Sequence, residues 1–490
     1  IKLKKVGVIG SGFSSLTAAI ELASMGFDVE VFEKNDSPGG RARHFNVDGF
    51  TFDMGPSWYW MPDVFENFFK KHNRKIADYF ELVKLNPGFS IYYEDNSRLD
   101  IPEAYNDLKA MFENLEKGSG KQLDKFMKRA EKKYLIGVKD LVFKPSKSLL
   151  EFVNLKVIKG AFHLDIFTVF SKYVRRYFTH PKLIKLMEFP ILFLGSLPSN
   201  TPAMYSLMNY SGLKQGTYYP IGGFYQIVDA LVKMATEKGV KFSYNSEVSK
   251  INVSQGKVKS LEINNEIHAK DIVVAGADYH HVESKLLDVS YRNYKPAYWE
   301  SRKLAPSSLL FYLGLDKKLN NVSHHTLFFD QDFELHAQEI YESPKWPSNP
   351  LFYMSCPSVT DSTIAPKNME NIMLLIPLAP GIEDSEQMRE KYFDVMLERI
   401  KKLTDNDISE NIVFKKSYCV SDFEKDYHAF KGNAYGLANT LNQTAILKPK
   451  MRNKKLKNLF YTGQLTVPGP GVPPSIISGQ VVAQEINKNF

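Results

Sequence analysis

Residues 6–43 read "VGVIGSGFSSLTAAIELASMGFDVEVFEKNDSPGGRAR". Val6, Val8 and Ile9 form an apolar run of the kind buried in a parallel sheet. Gly10 and Gly12 permit a sharp turn and let a pyrophosphate approach the backbone. Leu16, Ala19, Ile20 and Ala23 share one helical face, and Gly26 is placed to end that helix. Val29 and Val31 alternate in a second strand that runs out at Glu33. Glu33 stands 23 positions after Gly10, where a dinucleotide-binding βαβ unit carries the carboxylate that accepts ribose hydroxyls. Ser15 replaces the third glycine of the fingerprint; it is small enough for helix and strand to pack closely. The reading places a dinucleotide on Gly10, Gly12, Phe13, Ser14 and Ser15, with Glu33 and Lys34 at the ribose.

A second glycine turn, "SPGGRARHF", follows that strand. It holds Gly39, Gly40, Arg41, Ala42 and Arg43. Here the chain resembles the FAD-binding flavoproteins related to amine oxidases, which back a second glycine pair onto the pyrophosphate and flavin; nicotinamide dehydrogenases lack it. "FDMGPSWYW" (Phe52 to Trp60) carries the D-x-G-P typical of that group, which adds Gly55, Pro56 and Ser57 to the expected site. Near the C-terminus, "NLFYTGQLTVPGPGVPPSIISGQVVAQEI" reads strand, glycine turn, proline-glycine turn, helix. Gly463 and Gln464 would pass the ribityl chain. Gly471, Val472 and Pro473 would open a helix near Pro474 whose N-terminal dipole faces the flavin. By the same resemblance, Val248 offers its backbone to the adenine.

Further blocks narrow the likeness. "GTYYPIGGFYQIVDAL" (Gly216 to Leu231), the strand end Ala275 to Asp278, "HHTLFFDQDF" (His324 to Phe333), "PSVTDSTIAP" (Pro357 to Pro366) and "FKGNAYGLANTLNQTAILKP" (Phe430 to Pro449) run nearly end to end. Together they resemble bacterial carotenoid desaturases of the phytoene desaturase type, including the hydroxycarotenoid 3,4-desaturase branch. The resemblance implies FAD, a long apolar polyene and hydride transfer to flavin. Phytoene and a later intermediate such as a 1-hydroxycarotenoid both fit, as do oxygen and a membrane quinone as electron acceptor. A carotenoid isomerase, or another amine-oxidase-like oxidoreductase, is the neighbouring reading. An isoprenoid-binding escort protein is the non-enzymatic one. The family's acidic and basic candidates map nearest to Glu151 and Lys156, here five positions apart rather than three.

The remaining features bound this reading. Two cysteines, Cys356 and Cys419, lack metal-ligand spacing and fit a reducing cytoplasm. The first residues are the nucleotide-binding unit itself, so no signal peptide is expected. No run of ~18 uncharged apolar residues is present. Aromatic residues make up 13% of the chain, which suits a long apolar tunnel. The net charge is +8, and residues 141–190 hold nine Lys or Arg against three Asp or Glu, a net of +6. That window is rich in aliphatic residues. It reads as a surface for anionic lipid on the inner face of the membrane rather than for nucleic acid.

The expected fold is α/β. A discontinuous Rossmann-like FAD domain (1–85, 216–289 and 450–490) is interrupted by a helical, membrane-facing insert (86–215) and a mixed α+β substrate domain (290–449). Short strands are expected at Val240 to Tyr244, Val248 to Val253, Val258 to Ile263 and Ile272 to Ala275. Adjacent His324 and His325 would point to opposite faces of a strand, which favours structural roles. Trp58, Tyr59 and Trp60 are candidates for the cavity wall.

Overall fold

The computed structural model describes residues 3–148, 151 and 164–490. Three remote stretches of chain meet in one parallel five-stranded sheet. Its order is Leu459–Tyr461, Ile272–Ala275, Lys5–Ile9, Asp28–Phe32 and Lys241–Ser243. The strands are apolar on both faces because both are covered. Val6, Val8, Val29 and Val31 share a core with Leu16 and Ile20 of the helix Phe13–Ser24 and with the helix Gln226–Glu237. Ile9, Phe32, Val273 and Ala275 pack on the other side against an antiparallel sheet of Val248–Ser254, Lys257–Ile263 and Glu266–Ala269. The last of these strands adds a third member to the expected meander.

The C-terminal helix Val472–Asn489 lies on Phe13–Ser24 at close range. A Cβ at Gly479 would stand 2.3 Å from Ser14 O and 2.7 Å from Thr17 Cβ. Ser15 is buried and packs where a Cβ on Gly276 would meet its Oγ at 1.9 Å. The small residue at the third fingerprint position is thus required by the strand end beside it.

A second, seven-stranded sheet runs Ile412–Tyr418, Ser307–Leu315, Glu370–Leu378, Phe352–Ser355, His325–Phe329, Phe89–Tyr93 and Arg98–Ile101. One face, with Phe311, Leu313, Phe352 and Leu374, is covered by the helix Glu386–Thr404 through Phe393, Met396 and Ile400. The other face carries Leu310, Leu375, Tyr353 and Leu327. The last two strands correct the expectation that 86–215 is helical throughout. "FSIYY" is buried at every position, and the turn through Asp95, Asn96 (φ 59°) and Ser97 folds "RLDI" back on it. Beyond Tyr105 the described residues of this region are mainly helical, with Tyr105–Leu115, Ser119–Ile136 and Pro181–Glu188 as the longer helices among them.

The contact at Gly479 is testable. Gly479→Ala is expected to cost about 1–3 kcal/mol of stability through overpacking, read as an earlier urea midpoint. An unchanged midpoint would show that the two helices do not meet there.

Candidate functional site

One continuous cavity of about 790 Å³ runs from the glycine turns to the second sheet. At its first end the parallel strands stop together. Gly10, at φ +88°, turns the chain away after Ile9, and its N–H donates to Phe32 O. Gly12 caps the helix Phe13–Ser24 without a side-chain bond, and a Cβ there would meet nothing within 4 Å. The helix Val472–Asn489 likewise starts at Gly471 (φ +115°) with no side-chain cap. Gly12–Ser14 and Gly471–Pro473 line the cavity. The start of Phe13–Ser24 presents free N–H groups and partial positive charge, which suits phosphate; the start of Val472–Asn489, where Pro473 and Pro474 carry no N–H, offers the Val472 N–H and its partial positive charge. Gly39 and Gly40 bring the second turn against the first, with a Gly40 Cβ only 3.3 Å from Gly12 Cα.

Glu33 is buried and lines the same end. Its Oε2 accepts from Ser11 N (2.9 Å) and Ser11 Oγ (2.6 Å), and its Oε1 from Asn35 N (2.8 Å) and Asn35 Nδ2 (3.0 Å). The backbone donors fix the carboxylate. The two side-chain donors can rotate away, which frees one acceptor position on each oxygen for a diol. Val248, Lys34, Glu247 and His281 surround it. Arg41 donates from Nη2 to Asn433 O (3.0 Å), while its buried Nε has no partner. Burial lowers the Arg41 pKa and raises that of Asp278 nearby, whose charge it opposes. An open phosphate cradle, an adjustable carboxylate and an orphaned guanidinium nitrogen together fit a flavin dinucleotide.

Farther in, the wall turns apolar. Trp58, Trp60, Val138, Leu141, Met204 and Met208 face Leu310 and Leu375 of the second sheet. Gly55, Pro56 and Ser57 also line the cavity, as do Gly463 and Gln464. Asp53 faces elsewhere: it accepts from Phe224 N (2.6 Å) and Tyr225 N (3.0 Å), and burial raises its pKa to about 6. It anchors the D-x-G-P turn to the start of the helix Gln226–Glu237.

Three expected residues stand apart from the cavity wall. Ser15 is packed beneath it. Arg43, after the short helical turn Gly40–Ala42, stays largely buried behind the wall and pairs at 2.8 Å with Asp426, which does line the cavity. Glu151 accepts from Lys147 N at 3.0 Å and is not among the lining residues. Lys156 lies outside the described residues, as do 149–150 and 152–163 of the basic window. Tyr59 is fully buried behind the wall formed by its neighbours Trp58 and Trp60. The two histidines take different partners: His324 Nδ1 meets Thr360 Oγ1 at 2.8 Å, and His325 Nδ1 meets Tyr353 Oη at 2.6 Å. Sequence reading missed Ser11, Tyr353, Tyr435 and Asn439 as lining residues; only Ser11, inside the G-S-G turn, carried a signal.

Lys448 is buried beside the turn through Pro468 and Pro470, and its Nζ has no partner. A Cβ on Gly469 would stand 3.2 Å from that Nζ. Desolvation pushes the amine down to about 7. The unfolded chain therefore binds a proton between about pH 7 and its ordinary value of 10.5 that the folded chain does not. Stability from this group is full above 10.5 and is lost as pH falls to about 7. Lys448→Met is expected to unfold later at pH 7 by a few kcal/mol, and the gap should close toward pH 10. A constant gap across that range would rule out the buried neutral amine.

The family described as "Flavin containing amine oxidoreductase" matches residues 13–487. A carotenoid 3,4-desaturase from Haloarcula japonica is 37% identical over 482 residues, 98% of this chain and 97% of that protein. A zeta-carotene-forming phytoene desaturase from Myxococcus xanthus is 30% identical over 490 residues, 99% and 94% of the two chains. The solved structure of an oxidoreductase from Methanosarcina mazei shares the fold, with a TM-score of 0.64 at 17% identity, covering 98% of this chain and 100% of the other. The chain belongs to the flavin-containing amine oxidoreductase family.

Proposed function

We propose that the protein is a carotenoid desaturase with FAD as its cofactor, placing conjugated double bonds in a long isoprenoid polyene. The observation that carries this is the single cavity whose glycine-lined end opens into an apolar one. Relatives named as carotenoid desaturases along nearly the whole chain support it. Bound FAD supplies the two-electron acceptor that takes the hydride. The chain's own part is to bind, orient and keep dry. Both glycine turns and the start of Phe13–Ser24 hold the pyrophosphate, the start of Val472–Asn489 faces the flavin ring, Glu33 takes the ribose and Val248 the adenine. The apolar half holds the polyene by burial, at ~0.8 kcal/mol per methylene.

Phytoene or a 1-hydroxylated intermediate is the substrate in this reading, and oxygen or a quinone reoxidises the flavin. Residues 141–190 provide the lipid contact. Phe167 there is 98% exposed, with Lys172, Arg175 and Arg176 following it. No helix among the described residues is long and apolar enough to cross a membrane.

The purified protein should be yellow with bound FAD and should convert one of these carotenoids to a more conjugated product on chromatography. Absence of product from every carotenoid supplied would reject the desaturase reading. Glu33→Ala removes charge-assisted bonds to the ribose, so FAD affinity should fall about 10²-fold; unchanged affinity would remove Glu33 from the site. The protein should float with anionic vesicles and detach as salt rises, since screening acts over ~8 Å at physiological ionic strength. Equal flotation with neutral vesicles would refute the electrostatic contact.

A further inference from the structure

Desaturation strips a hydride and a proton from neighbouring carbons, and the proton needs an acceptor inside a dry cavity. Glu33, Lys34, Glu247 and His281 of the wall stand at the glycine-turn end, and Asp278 is opposed by Arg41. Asp426 and His428 also line the cavity, as does Lys144 beside Val142, Leu164 and Ile166; the rest of the apolar half offers hydroxyls. Among the described residues there, Tyr353 alone is bonded to an imidazole.

Tyr353 lies in the strand Phe352–Ser355, opposite Leu375 on one side and Leu327 on the other. Leu310, Leu375 and Tyr353 form one rank across the sheet, and all three line the cavity. The phenol thus puts one oxygen into an apolar row. That oxygen is 2.9 Å from Ser57 Oγ and 2.6 Å from His325 Nδ1. His325 is fully buried, and its Nε2 has no partner. The Trp58 indole lies flat on the imidazole, centroids 4.3 Å apart and planes 11° from parallel.

We propose that Tyr353 receives the substrate proton while His325, behind it, takes the phenol's own proton. This rests on the desaturase reading. As the hydride leaves one carbon for the cofactor, the adjacent C–H bond breaks and its electron pair becomes the new double bond. The released proton bonds to Tyr353 Oη. The phenol O–H breaks in turn, and its proton forms N–H with His325 Nδ1. Tyr353 ends neutral and His325 ends as imidazolium. When the product departs and water enters, the imidazolium N–H at Nδ1 breaks, its proton re-forms the phenol O–H, and Tyr353 Oη passes its other proton to that water.

The surroundings suit this. Burial, and secondarily the neighbouring His324, hold His325 well below the usual histidine range. It therefore rests neutral, and the relay uses the tautomer with Nε2 protonated, in which Nδ1 accepts from the phenol. A carbon skeleton that has lost hydride beside a polyene is a strong acid, so a weak base suffices. The imidazolium forms against the face of Trp58, a favourable position for a cation. Tyr353 is the catalytic residue of the pair; His325 acts through it.

The test mixes wild type, Tyr353→Phe and His325→Gln anaerobically with phytoene, or with a 1-hydroxycarotenoid if wild type turns over that instead. Flavin bleaching is followed in a single turnover. Glutamine can still accept a hydrogen bond but takes no proton. Both variants should keep their FAD and their half-saturating carotenoid concentration, while the limiting bleaching rate falls about 10²-fold. A limiting rate within about threefold of wild type overturns the proposal, and so does a change confined to half-saturation. If Tyr353→Phe fails to hold FAD, His325→Gln decides on the same criteria. No turnover by wild type would instead strike the desaturase reading itself.

Discussion

The site depends on one constraint: three parallel strands from distant parts of the chain stop at the same edge. Gly10 N–H donates to Phe32 O, Gly276 N–H to Ile9 O and Thr462 N–H to Ala275 O. Each bond lets the chain turn off the sheet at one level. Only then do Gly12, Gly40, Gly463 and Gly471 border one space. The close packing of Val472–Asn489 on Phe13–Ser24 holds two helix starts side by side, so their partial charges add rather than face apart.

The second sheet has a different task. Its outer face is tied down by the helix Glu386–Thr404, which leaves its inner face to act as a wall. The price of a mostly apolar wall is that any polar atom in it must find a partner. Tyr353, Ser57 and His325 satisfy most of their needs among themselves, whereas Lys448 and Asn439 Oδ1 do not. Polar groups left this way in an otherwise well-packed interior mark places where bound molecules complete the structure.

How much of this could be read from the chain alone follows from sequence distance. The first βαβ unit was legible because strand, turn, helix and carboxylate lie within a few dozen residues and each has its own residue signature. Strand Ile272–Ala275 was placed to the residue, since a four-residue apolar run between turns leaves little choice. The hairpin through Asn96 was lost because composition over a long window masked a short local pattern. Arg41 and Arg43 look equivalent in sequence, yet a single helical turn sends one inward and the other to Asp426. The Ser57–Tyr353 contact joins residues 296 positions apart, and no periodicity or motif could announce it. His325 was read as structural from strand alternation alone. His324 stands just before the strand, so alternation does not govern the pair, and the two rings meet at 4.5 Å.

The continuity of the cavity also sets an order in time. A polyene seated in the apolar half shares one cavity with the glycine-bordered end. On the desaturase reading, if the species that collects the electrons enters by the same half, it waits until that half has been vacated. The cycle then divides into two half-reactions that take turns, a double-displacement scheme in which the two reactants never occupy the protein together. Each new double bond would then require a separate visit, or a shift of the polyene along the tunnel, so the length of the apolar half becomes a ruler for how far conjugation extends.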